Sequence, residues 1–88
     1  MGWYVYILRC GDGTLYTGAT DDVQRRLEAH CAGKGAKYTR GRGPLELVYQ
    51  EAHPDKSSAF RREYQIKRMT RAEKLVLCRQ FGTEKQAE

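Results

Sequence analysis

Trp3-Tyr4-Val5-Tyr6-Ile7-Leu8, then Gly11-Asp12-Gly13, then Leu15-Tyr16-Thr17-Gly18-Ala19 is the stretch from which the fold can be read. The first run is rich in β-branched and aromatic residues, which suit a pleated, half-buried surface and predict a strand. The Gly-Asp-Gly segment is a turn signal, so the third run predicts the return strand of a hairpin. With Cys10 opposite Thr14, Tyr6 faces Gly18 and Leu8 faces Tyr16. Tyr6 and Tyr16 then share a face as diagonal neighbours, about 7–8 Å apart at Cα. A glycine opposite Tyr6 leaves open space over its ring. A slip of one residue in register would break this arrangement.

Working outward, Thr20-Asp21-Asp22 supplies N-cap candidates for a first helix. Val23, Leu27 and Cys31 recur at i, i+4, i+8 as its expected buried stripe, and Gly33 is its expected stop. A glycine-rich loop leads to Pro44. Leu45-Glu46-Leu47-Val48-Tyr49 alternates as a third strand, ended by His53-Pro54-Asp55. A second helix starts near Ser57-Ser58 and runs toward Met69. Thr70 and Glu73 match a capping box for a short third helix carrying Leu75 and Val76, with Gly82 as its expected stop. The order is β-β-α-β-α-α, and the class is α+β with a small three-stranded, at least partly antiparallel sheet flanked by helices. Residues 1–82 read as one domain and 83–88 as a frayed tail.

Composition fits one small domain. Leu, Ile, Val and Phe make up only 15 of 88 residues, about 17%. Six Tyr and one Trp add the apolar surface that this count omits. The net charge is +5. A two-domain enzyme and a large cofactor fold are excluded by length. No apolar run approaches the roughly 20 residues of a membrane span, and the first residues do not resemble a secretory signal. Three cysteines without a Cys-x-x-Cys suit a reducing cytoplasm. His30-Cys31, His53 and Cys10 match no zinc template.

Both longer helices carry polar residues where the pattern wants apolar ones. At about 100° per residue, Arg26 and His30 are i, i+4 neighbours on the border of the first helix's stripe, whereas Arg25 faces water. Arg26 reads equally as a snorkelling edge residue or a site residue. His30 reads first as a satisfied edge histidine. On the second helix Glu63 falls inside the stripe of Ala59 and Ile66, with Lys67 beside it, while Arg61, Arg62, Gln65 and Arg68 face away. A carboxylate on a buried face must be paired or hold a metal ion. An ion pair with Lys67 satisfies the first requirement. A metal-binding carboxylate beside a cation satisfies the second and suits phosphate chemistry.

The loop from Gly33 to Pro44 alternates glycine with Lys34, Lys37, Arg40 and Arg42 and includes Tyr38. Glycines allow close backbone approach, cations meet phosphates, and a tyrosine stacks on a base. Twelve residues without regular structure is long for a mere connector.

Together these residues resemble the GIY-YIG endonuclease domain, named for two short strand motifs about ten residues apart. Tyr4-Val5-Tyr6 stands for the first motif and Tyr16-Thr17-Gly18 for the second. The family's helix with an arginine and a His or Tyr four residues on is matched by Arg26 and His30, and its later glutamate by Glu63. The likeness covers residues 3–80, and Ala36 to Pro44 looks like the small stand-alone bacterial members. Tyr4 replaces the first glycine of the family name and Thr17 its isoleucine. A later asparagine of some members, and the DNA-targeting domain of larger ones, have no counterpart in these 88 residues.

The resemblance implies a divalent-metal-dependent endonuclease that hydrolyses DNA phosphodiester bonds, structure-selective or weakly specific, with a place in DNA repair or recombination. The implied catalytic set is Tyr6, Tyr16, Arg26, His30 and Glu63. Glu63 would hold Mg²⁺ or Mn²⁺, Arg26 would clamp the phosphate, and either Tyr6 or His30 would serve as the base. Lys34, Lys37, Tyr38, Arg40, Arg42 and Lys67 would contact branched or duplex DNA, with RNA left open. A protein partner or a second copy would aid targeting. The competing expectations are a non-cleaving nucleic-acid-binding module of the same fold and a protein-interaction domain in a repair complex.

Overall fold

A computed structural model describes residues 2–32 and 43–87, with side chains described through residue 81. Its elements are β1 (Trp3–Arg9), β2 (Leu15–Thr20), α1 (Val23–Cys31), β3 (Glu46–His53), α2 (Lys56–Lys67) and α3 (Arg71–Ala87). The expected order holds, and the sheet is antiparallel throughout, with strand order β2-β1-β3.

The hairpin has the predicted register. Tyr6 lies opposite Gly18 and Leu8 opposite Tyr16. The Cys10 N–H donates to the Thr14 carbonyl at 2.8 Å, and the turn bends at Gly13, whose φ of +87° favours glycine. Asp12 Oδ1 fastens the turn by accepting from the N–H and hydroxyl of Thr14.

Register divides the side chains of β1 between two faces. Val5 and Ile7 point to one, where they meet Ala59 and Ile66 of α2 in a fully buried cluster edged by Trp3, Leu15, Tyr49 and Leu77. Each valine or isoleucine of the cluster taken from water contributes roughly 1.5–3 kcal/mol. Tyr4, Tyr6 and Leu8 alternate onto the other face, together with Tyr16 and Gly18 of β2.

β3 is longer than the alternating run suggested, extending through Gln50, Glu51 and Ala52. It pairs with β1 through an irregularity at Ile7 and Leu8, which face Tyr49 and Leu47 and leave Val48 as the extra residue. The extension is stable because Glu51 is satisfied where it lies. It accepts from the Tyr49 hydroxyl, is 2.5 Å from His53 Nε2, and accepts from Arg62 Nε at 3.1 and 3.2 Å. His53 Nδ1 in turn lies 2.7 Å from Ser58 Oγ. Arg62 therefore does not face away, as the helical projection suggested, but ties α2 to β3.

Asp22 caps α1 by accepting from the Arg25 N–H at 3.1 Å, and Asp55 caps α2 from Ser58 N–H at 2.7 Å. The Thr70–Glu73 capping box forms reciprocally at 2.8 and 3.2 Å. α1 ends at Cys31 with Ala32 as its cap, two residues before Gly33, which lies outside the described residues. Its buried stripe is also rotated from the expected one, because Cys31 is exposed and His30 takes the inward position after Val23 and Leu27. α3 continues through Gly82 to Ala87, so that glycine is not its stop. One glycine costs a helix about 1 kcal/mol relative to alanine, too little to end it by itself.

Candidate active site

The site is assembled on the tyrosine face of the hairpin. Tyr6 is only 2% exposed, although its hydroxyl is polar. Its ring crosses over Gly18 of the edge strand, where a Cβ would come within 2.5 Å of Tyr6 Oη and 2.6 Å of Cζ. Gly18 is thus required by close approach rather than by backbone conformation. Tyr16, two residues along the same face, sets its ring centroid 6.4 Å from that of Tyr6.

α1 adds a third ring. His30 is 2% exposed, its Nε2 is 3.0 Å from Tyr6 Oη, and its ring lies 5.2 Å from that of Tyr16. Burial pushes the Tyr6 phenol up to about 12, against a pull downward from the nearby Arg26 guanidinium, while Tyr16 and Glu63 push it further up. Burial holds His30 below the ordinary imidazole value, and the charge of Arg26 lowers it again. At neutral pH the pair is a protonated phenol and a neutral imidazole. The hydroxyl then donates to Nε2, which leaves the ring proton on Nδ1.

The sequence-derived residues do not all meet. Tyr6, Tyr16 and His30 are in ring contact, and Arg26, one turn before His30 and exposed at the surface, is near enough to act on the Tyr6 hydroxyl through its charge. Glu63 stands farther off on α2 and acts on Tyr6 through its field. Its side chain is 21% exposed, and its Oε2 is 3.1 Å from Lys67 Nζ. The i, i+4 ion pair is therefore present, with Lys67 at the exposed edge rather than within the stripe. Lys34, Lys37, Tyr38, Arg40 and Arg42 lie outside the described residues. Helical spacing alone missed the Arg62–Glu51 contact. Tyr49, Glu51 and His53 at i, i+2, i+4 on one strand face were its available signal.

Residues 2–75 match the family model of the GIY-YIG catalytic domain, a span that contains all five of these residues. This chain belongs to the GIY-YIG family. The family is one of nucleases that generally use divalent metals. Among relatives of this GIY-YIG domain, a UPF0213 protein of Streptococcus sanguinis is 56% identical over 77 residues, 88% of each chain. The solution NMR structure of the UPF0213 protein BH0048 from Bacillus halodurans is 56% identical, with a TM-score of 0.56 over 88% of this chain and 82% of that one. The solution NMR structure of the protein EF2693 from E. faecalis is 35% identical, with a TM-score of 0.63 over 94% and 88%. Among the described residues, no helix of the GIY-YIG domain is long and apolar enough to cross a membrane.

Proposed function

We propose that this GIY-YIG domain is a divalent-metal-dependent endonuclease acting on DNA. The observation that carries the reading is the 3.0 Å contact between Tyr6 Oη and His30 Nε2, with the charge of Arg26 acting on both groups. A simple binding surface needs no buried phenol aimed at a buried neutral imidazole beneath a surface cation.

The donor set fits a hard cation that keeps most of its waters. Among the described residues, no group of three or more His, Cys, Asp or Glu could hold an ion. Glu63 is a partly exposed single carboxylate, paired with Lys67, whose field reaches Tyr6. Mg²⁺ and Mn²⁺ suit such a site, since Mg²⁺ often binds through one or two carboxylates together with water and substrate phosphate. When bound, the ion supplies charge stabilisation at the phosphate and a more acidic water.

The chain's own residues do the rest. Arg26 holds the phosphate and offsets charge that builds on its oxygens. With a phenol near 12, Tyr6 is a poor base at neutral pH by itself. It acts as a relay, taking a proton from the attacking water as its own passes to His30 Nε2. His30 is thereby the terminal base, and its depressed value keeps it unprotonated and ready. Tyr16 packs against both rings and positions them. Lys67, 3.1 Å from Glu63 Oε2, holds that carboxylate in position and offers a cation to the incoming phosphate.

The test is cleavage of plasmid and branched DNA with Mg²⁺, with EDTA, and by the Glu63→Ala and Arg26→Ala variants. Cutting that is lost in EDTA and in both variants is the expected result. Unchanged cutting by either variant sinks the assignment. Salt-dependent binding without cutting in any divalent metal would instead identify a non-cleaving module.

A further inference from the structure

We propose that the outer face of α2, with the groove beside it, binds an unpaired nucleic-acid strand next to the cleavage site, so that substrates with single-stranded tails or arms are preferred. The inference rests on the endonuclease reading for what the strand is delivered to, but not for the binding itself.

Positions 56, 60, 64 and 68 follow at i, i+4 spacing and therefore lie along one side of the helix. They are Lys56, Phe60, Tyr64 and Arg68, with cations at both ends and two aromatic rings between them. Phe60 is 45% exposed and Tyr64 62% exposed, unusually open for rings of this size. Successive members rise about 6 Å along the axis. The Trp3 ring stands edge-on to Phe60 at 5.6 Å, and Lys56 Nζ lies 5.6 and 5.4 Å from those two ring centroids. At the other end, Arg68 lies over the Tyr64 ring at 5.6 Å and donates to its hydroxyl at 2.9 Å.

The stripe leads into a groove of about 450 Å³ that Trp3, Phe60 and Lys56 share with Arg25 and Arg26. Its described lining contains three cations and no carboxylate. Arg25 is paired at 3.4 Å with Asp21 on the exposed surface. Arg26 belongs to the candidate site as well, so groove and site are continuous. Glu63 lies about 60° around α2 from Phe60, so a strand following the stripe passes the metal-binding candidate.

Every base has a face that can stack on an exposed ring, and the phosphates between bases meet cations spaced along the track. Bases in a duplex are already stacked on one another and cannot use Phe60 and Tyr64. The rings therefore select for unpaired nucleotides, while the cations alone would accept any nucleic acid. A protein surface would have no comparable need for lysine and arginine at each end of an aromatic pair and in the adjoining groove.

The experiment is fluorescence anisotropy in EDTA with a labelled duplex carrying a single-stranded tail and a blunt duplex of the same core. The protein is expected to bind the tailed form about tenfold more tightly. The Phe60→Ala/Tyr64→Ala variant should lose that preference and keep its affinity for the blunt duplex. Phe60→Trp/Tyr64→Phe should retain the preference, and circular dichroism establishes that each variant is folded. An equal affinity of the parent for both duplexes overturns the proposal, as does an unchanged preference in the folded alanine variant or a tail affinity indifferent to salt. If the protein cuts no DNA yet keeps the ring-dependent preference, the endonuclease reading fails and this inference stands. If it cuts but shows no such preference, the reverse holds.

Discussion

Two clusters built from nearly the same residue types border α2. One holds Tyr6, Tyr16, Arg26 and His30, with Glu63 acting from α2. The other holds Tyr49, Glu51, His53, Ser58 and Arg62. In the second, the carboxylate is the hub. Burial alone would raise the Glu51 carboxyl, but hydrogen bonds from Tyr49 and His53 and the charge of Arg62 hold it below its ordinary value. Burial and the neighbouring carboxylate push the Tyr49 phenol up to about 12. Partners from β3 and α2 converge on Glu51, so its work is to join two elements. Glu63 instead meets a lysine of its own helix and reaches Tyr6 only through its field. Residue type does not mark a site here. What separates the clusters is whether the carboxylate is committed to the fold or held where a substrate could claim it.

The sharpest way to break that comparison is to remove each carboxylate in turn. Glu63→Ala should lower the cleavage rate on the order of a thousandfold, the scale of losing several kcal/mol of metal-borne stabilisation, and leave thermal stability nearly unchanged. Glu51→Ala should do the opposite. It should keep cleavage within about threefold at temperatures where it is folded and lose about 2–3 kcal/mol in urea unfolding, because His53 and Arg62 are left without their acceptor. A Glu51→Ala variant as inactive as Glu63→Ala would erase the distinction.

Next in size are the residues around Tyr6. Arg26→Ala should cost roughly a hundredfold in cleavage. Arg26→Lys should recover little, since a lysine lacks the planar fork. The counterpart Arg62→Ala should show up in unfolding and not in the rate. Gly18→Ala should cost about 1–3 kcal/mol and depress cleavage about tenfold or more, because the new methyl must displace the Tyr6 ring. Wild-type stability in that variant would show that the ring moves aside freely.

The smallest effects are in pH, where the clusters titrate in different windows. His30 lies below 6.5 when folded, so the unfolded chain takes up the proton first. This part of the stability is complete above 6.5 and is lost as pH falls through the folded value. The acid limb of the cleavage profile should likewise fall below 6.5, and His30→Ala should abolish it along with most of the activity. Glu51 has a depressed value relative to 4.5, so its contribution persists to lower pH and is lost only below 4.5. Unfolding curves of His30→Ala and Glu51→Gln, taken across both ranges, should each lose one of the two steps.

Much of this was legible in the sequence because it rests on short-range rules. The hairpin register followed from alternation and a glycine turn, and it alone brought Tyr6, Gly18 and Tyr16 together. The caps at Asp22 and Thr70 followed from side-chain chemistry one turn from the helix start. Legibility failed where a contact crossed elements. A projection of α2 cannot see that Glu51 waits beside Arg62, so Arg62 looked solvated. The stripe of α1 was misread because a histidine paired with a buried phenol can take an inward position that hydropathy would give to Cys31. Likewise, spacing alone does not tell that the rings of Phe60 and Tyr64 are exposed, the first beside Trp3 and the second under Arg68.

β1 lies between β2 and β3 and is hydrogen-bonded on both sides. Its amide hydrogens from Val5 to Leu8 can exchange with solvent only when the sheet itself comes apart. Tyr6 is therefore mounted on a strand whose amides should exchange slowly, and a catalytic cycle under the proposed function could not draw on movement of that strand. Under that proposal, any rearrangement during turnover would fall to side chains at the rim. Among the described residues of the proposed site, Arg26 and Lys67 are exposed and would have the freedom to follow a phosphate in and out.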